Sequence, residues 1–229
     1  MDRLQFLERS YTRESPFSYE CHACNRCCHD KIIHANPYEV ARLAQHLHVS
    51  TTEFLSHYTT ANGTTLKQTD RGACVFLTAE GCGVHADRPL VCRLYPLGRR
   101  VTAGGDETFH EVKPHPQTEG TYGTRGTVQE FLTLQGAQPF IDAVERYVDL
   151  ISRTASHMRT AIKNNHLYDD VKHLVERIPR QESNEVPSWL DMDRAVSRFC
   201  ETRHTPVPDD IEAKMELHLQ AIEAWIVHS

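Results

Sequence analysis

Seven cysteines in the first half of the chain are the residues with the clearest chemical potential. Four of them fall within eight residues in the order C-x2-C-x2-C-C, namely Cys21, Cys24, Cys27 and Cys28, and the others are Cys74, Cys82 and Cys92. The two-residue gaps allow a tight loop to turn successive sulfurs toward one point, as a tetrahedral zinc ion or an iron–sulfur cubane requires. The pattern therefore predicts a metal-binding first half.

A disulfide framework is the alternative explanation for so many thiols. The chain opens with Met1-Asp2-Arg3-Leu4, and no apolar run is long enough for a signal peptide or for the ~20 residues of a membrane span. We therefore expect a cytoplasmic protein without a membrane partner, in which the thiols stay reduced. The neighbours Cys27 and Cys28 would also form a strained disulfide. Thiolates held by a cation are the preferred interpretation.

The charge of the chain is unevenly distributed. The net charge is −6 over 229 residues, with 14 acidic and 14 basic residues in 1–125, and 17 acidic and 11 basic residues in 126–229. Neither half has the basic excess that is typical of nucleic-acid binding. We therefore expect no nucleic-acid partner. The chain is long enough for one large domain or two small ones.

The number of candidate ligands exceeds the needs of one metal centre. One zinc ion or one cubane takes four protein ligands. His85 lies three residues after Cys82 and joins the thiols as a further candidate. The predicted metal ligands are Cys21, Cys24, Cys27, Cys28, Cys74, Cys82, Cys92 and His85. Eight ligands can hold two zinc ions, or one cubane can use four thiols and leave the rest buried or redox-active.

The first three cysteines have the spacing of a ferredoxin-like C-x2-C-x2-C loop. Cys21, Cys24 and Cys27 would wrap three corners of a cubane in this arrangement. Ferredoxins take a further cysteine beside a proline, so Cys92, with a proline four residues later, is the predicted fourth ligand, and Cys74 is the alternative. Zinc is compatible with the same spacing, which leaves the metal open.

Other polar residues near the cysteines receive secondary roles. We expect His22 and His29 to support the cysteine loop or face solvent rather than bind metal. Arg26, Arg88 and Arg93 would offset the charge of clustered thiolates, although Arg88 can equally be a surface residue at a helix start. The sequence contains no Ser-His-Asp, HExxH or P-loop pattern. No catalytic residue is assigned, and an enzymatic role is left open.

Short elements are predicted to position the cysteines. Residues 1–20 read as an irregular or briefly helical lead-in, and Ile32-Ile33 as an extended segment that packs the cysteine loop onto the core. Helices are predicted after Asn36-Pro37 and after Ser50, because both starts carry capping signals. Further predictions are strands at 66–69 and 74–77, a tight turn at 80–83, and a hairpin over 98–112 with its turn at 104–106.

The second half is predicted to be helical. A loop or linker over 114–126 precedes helices that begin near Thr127, Pro139, Ser188 and Asp209, with a shorter helix over 171–178. Cys200 lies on an apolar helical stripe and is expected to be a buried structural thiol. The predicted fold class is mainly α with a small β component (α+β). An irregular cysteine-rich metal-binding domain over 1–125 is followed by a C-terminal helical domain over 126–229.

The cysteine pattern as a whole resembles a known family. Cys82 to Pro96, with the Arg88-Pro89 pair and the Cys92-Arg93-x-x-Pro96 ending, joins the first cluster in the order of the YkgJ-like cysteine-cluster family, named for its CxxCxxCC motif. The resemblance covers roughly residues 20–97 and implies zinc or iron chelation. The flagellin lysine methylases share this cysteine domain, which implies an iron–sulfur cluster.

The resemblance and the surplus of thiols together favour an iron–sulfur protein. A [4Fe–4S] cluster held by Cys21, Cys24, Cys27 and Cys92 is the preferred cofactor, serving electron transfer or a modification reaction with an unidentified protein or redox partner. Zinc in a binding or adaptor module, whose acidic helical half is the recognition surface, is one alternative. Metal storage or delivery is the other.

Overall fold

The computed structural model describes residues 10–60, 63–102, 104–163 and 188–227. Over these ranges it contains seven α-helices and three small antiparallel sheets, about 46% helix and 20% strand, which confirms the predicted α+β class. No described helix is long and apolar enough to cross a membrane.

The chain divides into two compact units, each built from separate segments. Unit 1 takes the chain up to Ile33 together with Gln68–Pro139, and unit 2 takes His34–Lys67 together with Phe140–Ser229. All seven candidate cysteine ligands and His85 lie in unit 1. The sequence-based division of the chain at residues 125 and 126 stays a prediction.

Unit 1 holds all three sheets. Its strands are β1 (Ser10–Tyr11), β2 (Pro16–Glu20), β3 (Leu77–Thr78), β4 (Gly81–Cys82), β5 (Leu97–Val101), β6 (Glu107–Glu111) and β7 (Thr121–Thr127), and its helices are α3 (Leu90–Leu94) and α4 (Val128–Leu134). The sheets have the orders β1-β6-β5, β2-β7 and β3-β4. Two 3₁₀ turns, Arg26–Cys28 and His85–Asp87, carry candidate ligands.

Aromatic side chains form the core of unit 1. Phe17 and Phe131 meet edge to face with ring centroids 5.1 Å apart, and Phe109 is fully buried. Arg13 and Arg99 both bind the Glu107 carboxylate, which holds the pKa of Glu107 below its usual range although burial acts in the opposite direction. The aromatic core and these two ion pairs fix the strands and the helix from which the cysteine segments extend.

Unit 2 is helical. Its helices are α1 (Pro37–His46), α2 (Thr51–Tyr58), the greater part of α5 (Gln138–Lys163), α6 (Met192–Arg203) and α7 (Ile211–Val227). A polar contact links two helix starts in this unit, because Thr51 Oγ1 donates to Asp191 Oδ1 at 2.6 Å and the Thr51 amide donates to Asp193 Oδ2 at 2.8 Å.

Most predicted helix starts are confirmed. Asn36 closes a full capping box with Glu39 at the start of α1, and Thr127 does the same with Glu130 at the start of α4. The hairpin over 98–112 is confirmed as β5–β6, and the thiol-bearing turn as the β3–β4 hairpin. The helix predicted over 171–178 lies outside the described residues.

Several local predictions are wrong. The lead-in contains strands β1 and β2, and the predicted loop over 114–126 contains β7, which pairs with β2. The predicted strands at 66–69 and 74–77 are reduced to isolated bridges and the two-residue β3. Ile32 is 73% exposed and does not anchor the cysteine loop.

Two helical details also differ from the prediction. Asp191 caps α6 in place of Ser188, which belongs to a 3₁₀ turn, because the Asp191 carboxylate accepts from the Arg194 amide. The apolar spacing of the sequence also predicted Val148 and Ile151 on one apolar stripe of α5 together with Tyr147. Tyr147 is buried, but Val148 and Ile151 face solvent, and Ile141 and Leu150 are buried in their place.

Candidate metal centre

A tight loop after β2 carries the first four cysteines. Ala23, Asn25 and Asp30 adopt left-handed backbone conformations with φ between 51° and 62°, which turn the chain sharply without glycine. The 3₁₀ turn that follows Asn25 is closed by the Cys28 amide, which donates to the Asn25 carbonyl at 3.1 Å. The C-x2-C-x2-C-C segment thus forms a tight loop, and the convergence of its sulfurs on one metal stays a prediction.

The segment around Cys74 is hydrogen-bonded directly to this loop. The Cys74 amide donates to the Cys28 carbonyl at 2.8 Å, and the Asp30 amide donates to the Gly72 carbonyl at 2.9 Å. Gly72 has φ +75°, and a Cβ on it would lie 2.1 Å from Asp30 Oδ1. Glycine is therefore required for this close approach of the two segments.

The β3–β4 hairpin returns Cys82 toward Cys74. The Leu77 amide donates to the Cys74 carbonyl at 2.9 Å, and Leu77 pairs with Cys82 across the hairpin. A hydrogen bond of 2.9 Å from the Gly83 amide to the Phe76 carbonyl closes this short loop. The backbone alone therefore connects the segments of Cys28, Cys74 and Cys82.

Arg88 is the charged side chain that several thiols share. Burial lowers the pKa of its guanidinium, and the negative charges of Cys92, Cys82, Cys21 and Cys27 act in the opposite direction. Its Nη2 atom donates to Gln135 Oε1 at 2.6 Å, which orients the group. Of the two roles considered for Arg88, a charge partner for the thiols agrees with this arrangement.

Arg93 has a different role from the one predicted. It is 6% exposed, and its guanidinium donates to three backbone carbonyls, those of Arg88 at 2.9 Å, Gln135 at 2.8 Å and Ala86. A buried guanidinium with backbone partners holds the loop before α3 against the end of α4. It fixes the backbone that carries Arg88.

Cys27 and Cys28 form a close pair of thiols. Their Sγ atoms lie 3.9 Å apart, and a hydrogen bond from Cys28 lowers the pKa of Cys27 to about 7 while raising that of Cys28. Burial raises the pKa of the Cys74 thiol, with a further contribution from Cys82. Neighbouring thiols that share protons are suited to bind a soft metal cation, because the cation takes the place of the protons on the sulfur atoms.

The histidines near the cluster are distinguished by their partners. Arg88 Nη1 donates to His85 Nδ1 at 3.1 Å, so Nε2 is the nitrogen of His85 that is suited to a metal. Burial, followed by the charges of Arg88 and Arg93, lowers the pKa of His85. His29 donates from Nδ1 to the Asn25 carbonyl at 3.1 Å, which agrees with a supporting role, and His22 is exposed.

The cysteines differ in exposure and in placement. Cys21 is exposed, and Cys24, Cys27, Cys28, Cys74, Cys82 and Cys92 are half-buried. In the part of the chain that the structure describes, no three His, Cys, Asp or Glu side chains stand together as a ready-made metal site. The donor set nevertheless fits zinc or an iron–sulfur cluster by its chemistry, because thiolates prefer these centres. Cys200 is 1% exposed in unit 2, as expected for a buried thiol.

Three tyrosines beside the thiols were missed in the sequence. The Tyr19 ring meets Tyr122 and Tyr95 edge to face, with centroids 5.1 Å and 5.9 Å apart. Burial, together with the charges of Cys21 and Cys27, raises the pKa of Tyr19 to about 12. The one feature of the sequence that could have indicated them is closeness to a cysteine: Tyr19 precedes Cys21 by two residues, and Tyr95 follows Cys92 by three.

Comparison with known proteins agrees with this picture. Residues 20–115 match the CxxCxxCC family, which is described as "Putative zinc- or iron-chelating domain". The match confirms the resemblance of this segment to the YkgJ-like cysteine-cluster proteins. No curated protein and no solved structure matches the chain. The family match supports metal binding by unit 1 at the level of zinc or iron.

Proposed function

We propose that the cysteine segments of unit 1 hold a [4Fe–4S] cluster that serves electron transfer or a modification reaction. The proposed ligands are Cys21, Cys24, Cys27 and Cys92. The observation that supports the proposal is the tight loop that carries the first four cysteines, with the Arg88 guanidinium close enough to Cys92, Cys82, Cys21 and Cys27 for their charges to act on its pKa. An iron–sulfur cluster supplies one-electron transfer, with a potential set by the charge and hydrogen bonds around its sulfurs.

The protein's own groups have clear tasks in this proposal. Arg88 offsets the negative charge of the thiolates, and its bond to Gln135 keeps it in place. Arg93 fixes the backbone of the Arg88 loop through three carbonyls. The Tyr19 ring, which contacts Tyr95 and Tyr122, lies close enough to Cys21 and Cys27 for their charges to raise its pKa, so it contributes to the apolar surroundings that set the potential of a bound cluster.

The visible absorption of anaerobically purified protein tests the ligand assignment. The wild-type protein should be brown and should bleach in oxygen, because sulfide and exposed thiolates oxidise. Cys92→Ser should lose the colour, whereas Cys200→Ser, whose thiol is buried in unit 2, should keep it. Equal colour in the wild-type, Cys92→Ser and Cys200→Ser proteins would contradict the proposed ligand set.

A zinc module is the second candidate, and one distance favours it. Two thiolates on one tetrahedral zinc, with Zn–S bonds of about 2.3 Å, lie about 3.8 Å apart. The Sγ atoms of Cys27 and Cys28 are 3.9 Å apart. In a cubane each iron takes one cysteine, so this close pair suits a single tetrahedral ion better.

Cys28→Ser separates the two candidates. In the iron–sulfur proposal Cys28 is not a cluster ligand, so the variant should keep its iron and its colour. In the zinc alternative Cys27 and Cys28 share the ion, so the variant should lose zinc. Metal content of Cys28→Ser relative to Cys200→Ser is the deciding measurement.

A further inference from the structure

Both tryptophans of the chain line one surface groove of unit 2. Trp189 is 40% exposed and Trp225 is 52% exposed, and they are the only two tryptophans in the sequence. The groove has a volume of about 450 Å³ and runs between α6 and α7. Exposed tryptophans concentrated at one groove are typical of an interaction surface, because Trp is a leading contributor to binding energy at protein interfaces.

Three of the residues that line the groove are small and are called its alanine floor below. They are Ala195 of α6 and Ala221 and Ala224 of α7. Small side chains on two neighbouring helices allow a third helix to approach within the usual 8–10 Å interaxial distance. The shape therefore suits an α-helix better than a flat or extended partner.

The groove is positively charged in an acidic part of the chain. Arg194, Arg198 and Arg203 line it, and no carboxylate is among its described lining residues. In the part of the chain that the structure describes, neither Arg194 nor Arg198 is paired with a carboxylate. Arg203 stacks on the Phe199 ring, with its guanidinium carbon 3.6 Å from the ring centroid. Residues 126–229 carry a net charge of −6. The positive charge of this groove is therefore opposite in sign to the net charge of the segment that contains it.

We propose that the α6–α7 groove binds an acidic amphipathic helix of a partner protein. The apolar face of that helix would cover the two tryptophans and the alanine floor, and its carboxylates would pair with Arg194 and Arg198. Residues 194–203 span about 14 Å along α6, which corresponds to roughly two and a half turns of a partner helix. The acidic surroundings disfavour the anionic surfaces of membranes and nucleic acids, and favour a short acidic segment that the three arginines can hold.

A synthetic peptide series tests this proposal on the full chain. The probe is a labelled 14-residue amphipathic helix with leucine and phenylalanine on one face and glutamate on the flanks, compared with versions carrying glutamine or lysine at the glutamate positions. The acidic peptide should bind most tightly, shift the tryptophan emission to shorter wavelength and weaken with added salt. Arg194→Glu/Arg198→Glu should weaken it about tenfold or more, with little effect on the glutamine peptide.

Matched controls keep the test decisive. Arg100→Glu/Arg125→Glu makes the same charge change at exposed sites of unit 1 and should leave binding unchanged. Trp225→Ala should weaken both the acidic and the glutamine peptide. Equal binding of acidic and lysine peptides, or equal binding by the Arg194→Glu/Arg198→Glu variant and wild type, would overturn the proposal. Binding to phosphatidylserine vesicles without binding to the acidic peptide would also overturn it.

Discussion

The backbone amide of Cys74 donates a 2.8 Å hydrogen bond to the carbonyl oxygen of Cys28. Two cysteines that are distant in sequence are thus joined through their backbones, independently of any bond to their sulfurs. The same contact is extended by the Asp30–Gly72 hydrogen bond and by the bridge between His29 and Ala73. The loop of the first four cysteines and the segment of Cys74 therefore meet through their backbones.

Gly72→Ala tests the importance of this meeting. The variant must accept a side chain at φ +75° and displace Asp30 Oδ1, which would lie 2.1 Å from the new Cβ atom. We expect it to lose more than the ~1 kcal/mol typical of a left-handed alanine and to bind metal less well. Gly105→Ala is the control, because Gly105 has φ +89° with nothing within 4 Å. Chemical unfolding and metal content of both variants check this, and equal effects would refute the role of the loop contact.

Metal removal should affect unit 1 selectively. Its cysteine segments have little regular structure over 20–33 and 68–89, so ligation is expected to supply much of their folding energy. After chelation, limited proteolysis should cut within these segments, while tryptophan emission should change little because Trp189 and Trp225 both lie in unit 2. Cys24→Ser should reproduce the proteolysis pattern without a chelator. Unchanged proteolysis of the metal-free protein would show that ligation is not needed for folding.

Replacing Arg93 should destabilise unit 1. Arg93→Met leaves three backbone carbonyls without their donor, at a cost of about 3 kcal/mol or more. Arg93→Lys keeps the charge but cannot reproduce the planar fork of donors, so it should rescue only part of the loss. Arg100→Met, at an exposed site, is the control. Unfolding midpoints in urea measure these effects, and full stability of Arg93→Lys would show that charge alone matters.

His218 should make the stability of unit 2 sensitive to acid. It is fully buried, accepts from Tyr147 Oη at Nδ1 (2.8 Å) and donates from Nε2 to the Trp189 carbonyl (2.9 Å). Burial lowers its pKa from 6.5 to about 4. The unfolded chain therefore takes up a proton below pH 6.5 that the folded protein resists until near pH 4. Stability should fall over this window by up to about 3 kcal/mol.

A substitution isolates this contribution from other groups that titrate in acid. His218→Gln keeps one acceptor and one donor but cannot take up the proton, so its unfolding free energy should depend less on pH between 6.5 and 4. His57→Gln, at an exposed position of α2, should retain the full dependence. Unfolding in urea at several pH values, followed by tryptophan emission, measures the difference. Identical pH profiles for wild type and His218→Gln would rule out the assignment.

Local signals in the sequence predicted the helices well. Asn36, Thr127 and their glutamate partners act within one helical turn, so the start of a helix is encoded by a few neighbouring residues. The strand β7 was missed because its T-Y-G-T-R-G-T sequence has almost no apolar alternation and is mostly exposed. Its pairing with β2 is a long-range contact that no short pattern contains.

The candidate site was predictable as a set of residue types but not as an arrangement. Spacing identified the seven cysteines, and the family match agrees with that choice of segment. The hydrogen bond between the Cys74 and Cys28 segments, and the position of Arg88 among the thiols, depend on how separate loops meet. Arg93 was expected to neutralise thiolates, yet it binds carbonyls, because the same residue type serves both roles and only its surroundings distinguish them.

The most direct test of the central claim is the amount of iron, zinc and acid-labile sulfide per chain in protein purified anaerobically from iron-replete cells. The iron–sulfur proposal predicts about four iron and four sulfide per chain. Stoichiometric zinc without sulfide would replace the cluster by the zinc alternative. Protein that contains no stoichiometric metal would contradict the conclusion that the cysteines of unit 1 form a metal centre.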